Sequence, residues 1–400
     1  MKNTIVFDAL GKSKSSFPAR ARFSWLLIIF LTVSTAATTY AQNWVNVGAA
    51  GFSTGDVDYL SMTIDKNGTP YVVYSDEGNG AKATVMKYNG SSWAPVGKAG
   101  FTPGSAGYTS LAIDEKGTPY VVFQDGSNSS KASVMKYDGS DWVGVGRHGV
   151  STGGAGGCSI AVDEKGTPYV VYADNMYNNK AVVMKFNGKD WEPVGNMGFS
   201  TGQTWETSII IGKDGIPYVI YLDGGMNGPA IVVKLDNGKW TAIGNAVVPT
   251  GDVKYANIAV DKHGTIYVVS SGGLKPAKTE KGSAYSTREN IPASVMKFNG
   301  SSWAKIGDLN TSTQEYISIT TDANGAPFVA YADSKINVKK YNGSSWENVG
   351  NDNSAQGVTP SIAIDQKGTP YVFFKDGGNG SQMNKATVMK MVTLTEGQKK

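Results

Sequence analysis

The chain is short of the residues from which most reaction centres are built. Its 400 residues include 1 Cys and 2 His. One cysteine excludes an intrachain disulfide framework and any Cys-rich zinc site. Beyond residue 41 the only arginines are Arg147 and Arg288. No apolar run after that point is long enough to cross a bilayer, and no stretch shows helical periodicity. H-E-x-x-H and a phosphate-binding Walker loop are missing; Gly11-Lys12-Ser13 lacks the upstream glycine. Glycine, by contrast, is abundant at 50 residues, but without a G-x-y period, which excludes collagen. Aromatics at 10% and charged residues at 18% provide enough apolar surface for a folded core.

Residues 1–22 carry Lys2, Lys12, Lys14, Arg20 and Arg22 against the single acid Asp8. An apolar run, Phe23 to Val33, and then small polar residues follow. That order is a secretory signal peptide, with cleavage expected after Ala41. An uncleaved anchor is the alternative. The expected location is therefore extracellular, at the cell surface or periplasmic. Taking five bases and one acid from 37 and 33 leaves 32 of each. The formal charge of +4 thus belongs mainly to the leader. The remainder has no basic footprint, so nucleic acid is not an expected partner.

The rest of the chain repeats. Trp44, Trp93, Trp142, Trp191 and Trp240 are 49 residues apart, and Trp303 and Trp346 follow after 63 and 43. A second marker, D-x-x-G-T-P-Y-V or a close variant, recurs at Asp65, Asp114, Asp163, Asp261, Asp322 and Asp365; the fourth copy has Gly212 in the Asp position. One unit reads as four strands. Tyr59–Ile64 alternates with period 2; Asp65-Lys66-Asn67-Gly68 is a turn; Tyr71–Tyr74 and Ala83–Tyr88 are strands. Asn89-Gly90 signals a type I′ hairpin, and Ser92–Val96 follows it. The recurring N-G-S triplets are read as turns rather than glycosylation sites.

Four antiparallel strands repeated seven times predict an all-β fold, a seven-bladed β-propeller. Asn43–Gly48 matches a fourth strand, and the chain ends after a third. Strand 43–48 is expected to pair with the last blade and close the ring, removing two free edges. The domain is set at 42–392, with a tail at 393–400. In this the chain resembles propellers of the WD-repeat class that are closed by an N-terminal outer strand. The D-x-x-G-x-x-Y-V hairpin is similar to exported bacterial propeller repeats, related in style to NHL, kelch and Asp-box proteins. It carries none of their signature motifs, so the resemblance implies architecture and not function.

The loops between strands 2 and 3, and between successive blades, share one face and vary most. Function is expected there. A rim of Tyr59, Tyr108, Trp205, Tyr255 and Tyr316 precedes the inner strands; it serves either a ligand or blade packing. Asp76, Asp125, Asp174, Asp223, Asp333 and Asp376 end the second strands. Such a ring suits hydroxyls or Ca²⁺, or else forms turns. An insertion at 271–292, bearing Lys275, Lys278, Lys281 and Arg288, is functional or disordered. Departures from the repeat include Arg147, His148, Cys158, Gln203, Trp205 and Glu206.

Propeller sialidases need an arginine cluster, which two arginines do not supply. His148 and His263 are expected on opposite faces, so no His pair binds a metal. No cofactor is expected. The leading reading is a secreted, monomeric, non-enzymatic propeller that binds an extracellular glycan or protein ligand. The alternatives are a polysaccharide lyase or glycoside hydrolase using His148 or Glu206, and a passive interaction scaffold.

Overall fold

The computed structural model describes residues 42–224, 228–244, 253–276, 288–311, 316–350, 355–378 and 380–393. The expected leader and the tail from 394 lie outside these residues. The chain builds seven four-stranded antiparallel sheets. Blade 1 is Val57–Ile64, Pro70–Asp76, Lys82–Tyr88 and Trp93–Pro95. Blades 2 to 6 repeat it. Innermost strands touch in a closed cycle, from Val57–Ile64 round to Gly357–Ile364 and back. The seventh blade borrows its outer strand. Gln42–Asn46 pairs antiparallel with Ala386–Thr393, Trp44 opposite Met391, so the ring closes as expected.

There is no single central core. Seven apolar clusters form, one at each contact between blades. Strand 2 explains why. In Pro70–Asp76 every residue is buried. Tyr71 and Val73 join the cluster shared with blade 2, while Val72 and Tyr74 join the one shared with blade 7. Period-2 alternation here separates two neighbours rather than core from water.

The repeated tryptophans bind these layers together. Each indole N–H donates to a main-chain carbonyl of the preceding blade: Trp93 to Val47, Trp142 to Val96, Trp191 to Val145 and Trp240 to Val194. Trp303, Trp346 and Trp44 do the same to Ile243, Ile306 and Val349. The distances run from 2.6 Å for Trp93 to 3.1 Å for Trp346. A glycine follows or sits beside each acceptor for two reasons. Gly97 has φ +70°, and a Cβ there would lie 2.9 Å from the Tyr137 ring and 3.2 Å from that of Trp142.

Both turn types come from side chains that satisfy backbone donors. Asp65 Oδ1 accepts from the N–H groups of Asn67 and Thr69, both at 2.9 Å, and Gly68 takes φ +81°. In the fourth copy Gly212 has no carboxylate. Asp214, two residues on, accepts from Ile216 N–H at 3.0 Å instead. The Asn-Gly reading needs correction. Tyr88 pairs with Trp93, so the loop has four residues; Asn89 Oδ1 accepts from Ser91 and Ser92, and positive φ occurs at Gly90 alone. The two serines after the glycine leave room for this Asx turn. Only blade 4 makes the two-residue turn. Asp236 pairs with Lys239 around Asn237 (φ +48°) and Gly238 (φ +78°).

The blade 5 insertion contains a ladder of its own. Gly273–Pro276 pairs with Arg288–Ile291. Lys278 and Lys281 lie outside the described residues.

Trp142→Phe keeps the ring packing but leaves the Val96 carbonyl unpaired. It is expected to cost about 1–2 kcal/mol. Gly97→Ala adds strain at positive φ to a steric clash and is expected to cost more. Denaturant unfolding of both variants checks the order.

Candidate functional site

The inner strands converge on a cavity of about 500 Å³ at the mouth of the central channel. One layer of its wall is Ser61, Ser110, Ser159, Ser208, Asn257, Ser318 and Ser361, one residue from each blade. The Ser61, Ser110 and Ser159 hydroxyls accept from the N–H groups of Leu111, Ile160 and Ile209 in the next blade, at 3.2–3.3 Å. Ser318 and Ser361 do so from Ile362 and Met62. The inner ring is thereby tied as the outer ring is.

Two positions earlier stands the layer at the mouth. Round the ring it reads Tyr59, Tyr108, Gly157, Glu206, Tyr255, Tyr316, Thr359. Three of the expected aromatics, Tyr59, Tyr108 and Tyr316, line the cavity with Glu206 and Asp58. Tyr255 packs against Tyr316 with ring centroids 3.9 Å apart, and Tyr59 stands 5.0 Å from Tyr108. Trp205 is exposed but does not line the cavity. The residue at the mouth in blade 4 is its neighbour Glu206. Counting back two from Ser208 is the sequence signal that locates it.

The backbone at the mouth is unusual. In blades 1, 2, 3 and 7 the register of the inner strand slips between Asp58 and Ser61 and at the matching places. The mouth residue forms the bulge, with φ +54° at Tyr59, +49° at Tyr108, +55° at Gly157 and +53° at Thr359. For a tyrosine that conformation costs about 1–3 kcal/mol. The bulge carbonyls of Tyr59 and Gly157 accept from the hydroxyls of Thr109 and Thr207. Thr359 Oγ1 is buried without a hydrogen-bond partner among the described residues.

Charge at the mouth centres on Glu206. Its surface keeps some contact with channel water, but the protein packed around it withdraws solvation. Burial alone lifts its carboxyl from 4.5 to about 7. The phenols respond to it. Burial first, then the negative charges of Asp58 and Glu206, raise Tyr59; burial, Tyr59 and Glu206 raise Tyr108. Tyr316 rises through burial and then Glu206. Asp58 also pairs with Lys375 at 2.9 Å. Cys158 is buried in the same wall and its thiol is pushed up to about 12, so it stays protonated.

The aspartates expected as ligands point elsewhere. Asp76 Oδ1 accepts from Gly55 and Gly78 N–H, and Asp174 from Thr152, Gly153 and Met176. Asp125 accepts from Ser127, Ser133 and the His148 ring; Asp223 from Gly202. Asp376 accepts from Gly378 and Thr387, and Asp333 from Thr311. These carboxylates staple the chain's own loops, and none of them lines the mouth cavity. Main-chain N–H groups are the stronger claim on a buried acid. Among the described residues no three His, Cys, Asp or Glu side chains converge as metal ligands.

His148 is also away from the mouth. Its Nε2 lies 2.8 Å from Asp125 Oδ2, and it lines a separate cavity of about 150 Å³ with Phe123 and Arg147. G-x-S-x-G, the string of a nucleophile elbow, stands at Gly51–Gly55, Gly149–Gly153 and Gly198–Gly202, against the expectation that the sequence lacks it. Their serines are loop staples. Ser53 is buried, donates to Gly55 O at 2.7 Å and accepts from Ala386 N–H at 3.0 Å. Ser151 and Ser200 repeat both bonds.

No protein-family model and no curated protein matches the sequence. Solved structures do match in fold. A polysaccharide lyase, an ulvan lyase solved with a -[GlcA(1-4)Rha3S]- glycan, is 14% identical, with 87% of this chain and 96% of that one covered and a TM-score of 0.54. The polysaccharide lyase Uly1 is 11% identical, over 87% and 91%, with a TM-score of 0.52. A triple arginine variant of AofleA from Arthrobotrys oligospora is 13% identical, over 77% and 88%, at 0.50. The shared feature is the propeller.

Two stability predictions follow from the mouth. Tyr108→Gly relieves positive-φ strain while removing the Tyr59 contact, worth about 0.5–1.5 kcal/mol. The terms oppose, so stability is expected to change by less than about 1 kcal/mol in denaturant titration. Folded Glu206 holds a proton between pH 4.5 and 7, where the unfolded chain has released it. Stability therefore falls as pH rises through that window, by about 2 kcal/mol given its residual water contact. Glu206→Gln is expected to flatten the profile.

Proposed function

We propose that this protein is a glycan-binding propeller whose ligand sits at the channel mouth. One observation carries the reading: aromatic faces and an acid of the mouth layer open into one concave cavity. Tyr59 and Tyr316 are 41% and 36% exposed there, unusual for residues in a packed ring. Flat phenol faces suit sugar rings; Glu206, Asp58 and the serine layer suit hydroxyls. Structural neighbours that are polysaccharide lyases support the ligand class. The basic, apolar, small-residue leader supports an exported protein, and the reading requires no cofactor.

A second reading, polysaccharide lyase or glycoside hydrolase, is favoured by Glu206. A carboxyl held near 7 beside phenols can take up or release a proton at neutral pH.

A polysaccharide array followed by calorimetry tests both. Tyr59→Ala and Tyr316→Ala are each expected to raise Kd about tenfold or more, as truncation of a central aromatic anchor does. A folded protein that binds no glycan overturns the proposal. Chain cleavage that Glu206→Gln abolishes while binding persists establishes the second reading.

A further inference from the structure

The wall of the mouth cavity carries charge of one sign only. Two acids line it, Asp58 and Glu206, and no lysine, arginine or histidine does. Asp58 already has a cation, since Lys375 Nζ lies 2.9 Å from its Oδ1. Glu206 has none. Among the described residues its carboxyl makes no hydrogen bond and no ion pair, and burial alone acts on its proton. Lys254, the exposed neighbour of Tyr255, does not line the cavity either. A buried acid left without a partner by its own chain is open to a partner from outside.

Tyrosines stand on both sides of that acid. In ring order Glu206 of blade 4 lies between Tyr255 of blade 5 and, across the small Gly157, Tyr108 of blade 2. Each has a second ring against it, Tyr59 beside Tyr108 at 5.0 Å and Tyr316 beside Tyr255 at 3.9 Å. Tyr59 and Tyr316 are the exposed members of the two pairs, and both line the cavity. Burial first, and then charged neighbours that include Glu206, raise the phenols of Tyr59, Tyr108 and Tyr316. The three rings therefore lie within the field of the acid and stay neutral. A neutral phenol ring presents a negative face, which attracts a cation.

We propose that the glycan taken at the mouth carries an amino sugar with a free ammonium group, held by the Tyr59 and Tyr316 faces and the Glu206 carboxylate. This rests on the glycan-binding reading and names the sugar class within it. The ammonium supplies the partner that Glu206 lacks, through a charge-assisted hydrogen bond. It also gains cation–π attraction from any tyrosine ring whose centre is within ~6 Å. The serine layer and Asn257 remain for the sugar's hydroxyls. A uronic acid meets the reverse, its carboxylate set against an unpaired carboxyl and negative ring faces. N-acetylation removes the charge and leaves Glu206 without its partner. The same groups thus favour one class of sugar and disfavour the others.

Calorimetry on the full chain tests it with oligomers of glucosamine, N-acetylglucosamine, glucose and galacturonate of equal length, at a pH where the amine is charged. The glucosamine oligomer is expected to bind about tenfold or more tighter than the two neutral ones, and galacturonate weakest. This order needs no variant. Glu206→Gln is expected to bring glucosamine down to the level of glucose while glucose binding persists. Glu164→Gln removes an exposed acid that pairs with Lys213 at 3.6 Å, away from the mouth. It is expected to leave the preference intact, which separates this site from a general attraction between a cation and surface acids. The proposal is overturned, with the glycan reading standing, if a neutral oligomer or galacturonate binds as tightly as glucosamine. It is likewise overturned if Glu206→Gln keeps the preference or Glu164→Gln removes it equally. Absence of binding by every glycan overturns the glycan reading itself and this proposal with it.

Discussion

Everything in this ring depends on the bond between one blade's indole N–H and the carbonyl of the blade before it. A sheet with apolar residues on both faces needs a neighbour on each side, and the tryptophan fixes where that neighbour stands. The bond is made at all seven contacts, including the one that joins the two ends of the chain. Because both partners are largely withdrawn from water, leaving either unpaired is costly. The glycine beside the acceptor gives the indole its space. Nearer the axis, serine hydroxyls repeat the device on a smaller circle. The blades are held at inner and outer radii by the same kind of link, side chain to main chain.

A scaffold held this way leaves its mouth residues free to differ. Tyr59, Tyr108, Glu206, Tyr255 and Tyr316 carry none of the repeated side-chain links between blades, and here the seven units diverge most in chemistry. The divergence is coordinated. Blade 3 presents Gly156 and Gly157 where blades 1 and 2 present Gly or Asp followed by Tyr. A Cβ on Gly157 would come within 2.1 Å of the Trp205 carbonyl oxygen. The small pair in blade 3 thus makes room for the Trp205–Glu206 segment of blade 4, and the acid reaches the mouth because its neighbour has no side chain there.

What the sequence disclosed was the repeat, and with it the fold. Trp44 to Trp346 counted the blades, and the mismatch of the two ends announced closure, because both are periodic signals. The site was harder to read. Asp76 and its equivalents could be read as a ring of ligands or as turn formers, since a carboxylate at a loop is the same string whether it faces water or the main-chain N–H groups of its own loop. Trp205 drew attention as the conspicuous side chain, while register assigns the mouth to Glu206. The Asn-Gly pairs misled for a related reason. Hairpin type depends on the residues around the pair: Ser91-Ser92 extends one loop to four residues, whereas Asp236 and Lys239 close on Asn237-Gly238 as a two-residue turn.

The borrowed strand sets an order of events. Gln42–Asn46 is synthesised before any blade exists, yet its partner, Ala386–Thr393, comes last. The seventh sheet is therefore completed only when the whole chain is present, a slow step because the pairing is so far apart in sequence. The same arrangement works in reverse. Neither described end is a loose thread from which unravelling can start, since each is a rung of a sheet flanked by two neighbours. Separating the two ends requires breaking the ladder between Gln42–Asn46 and Ala386–Thr393, so resistance to proteases and heat depends on the rate of that rupture as well as on equilibrium stability.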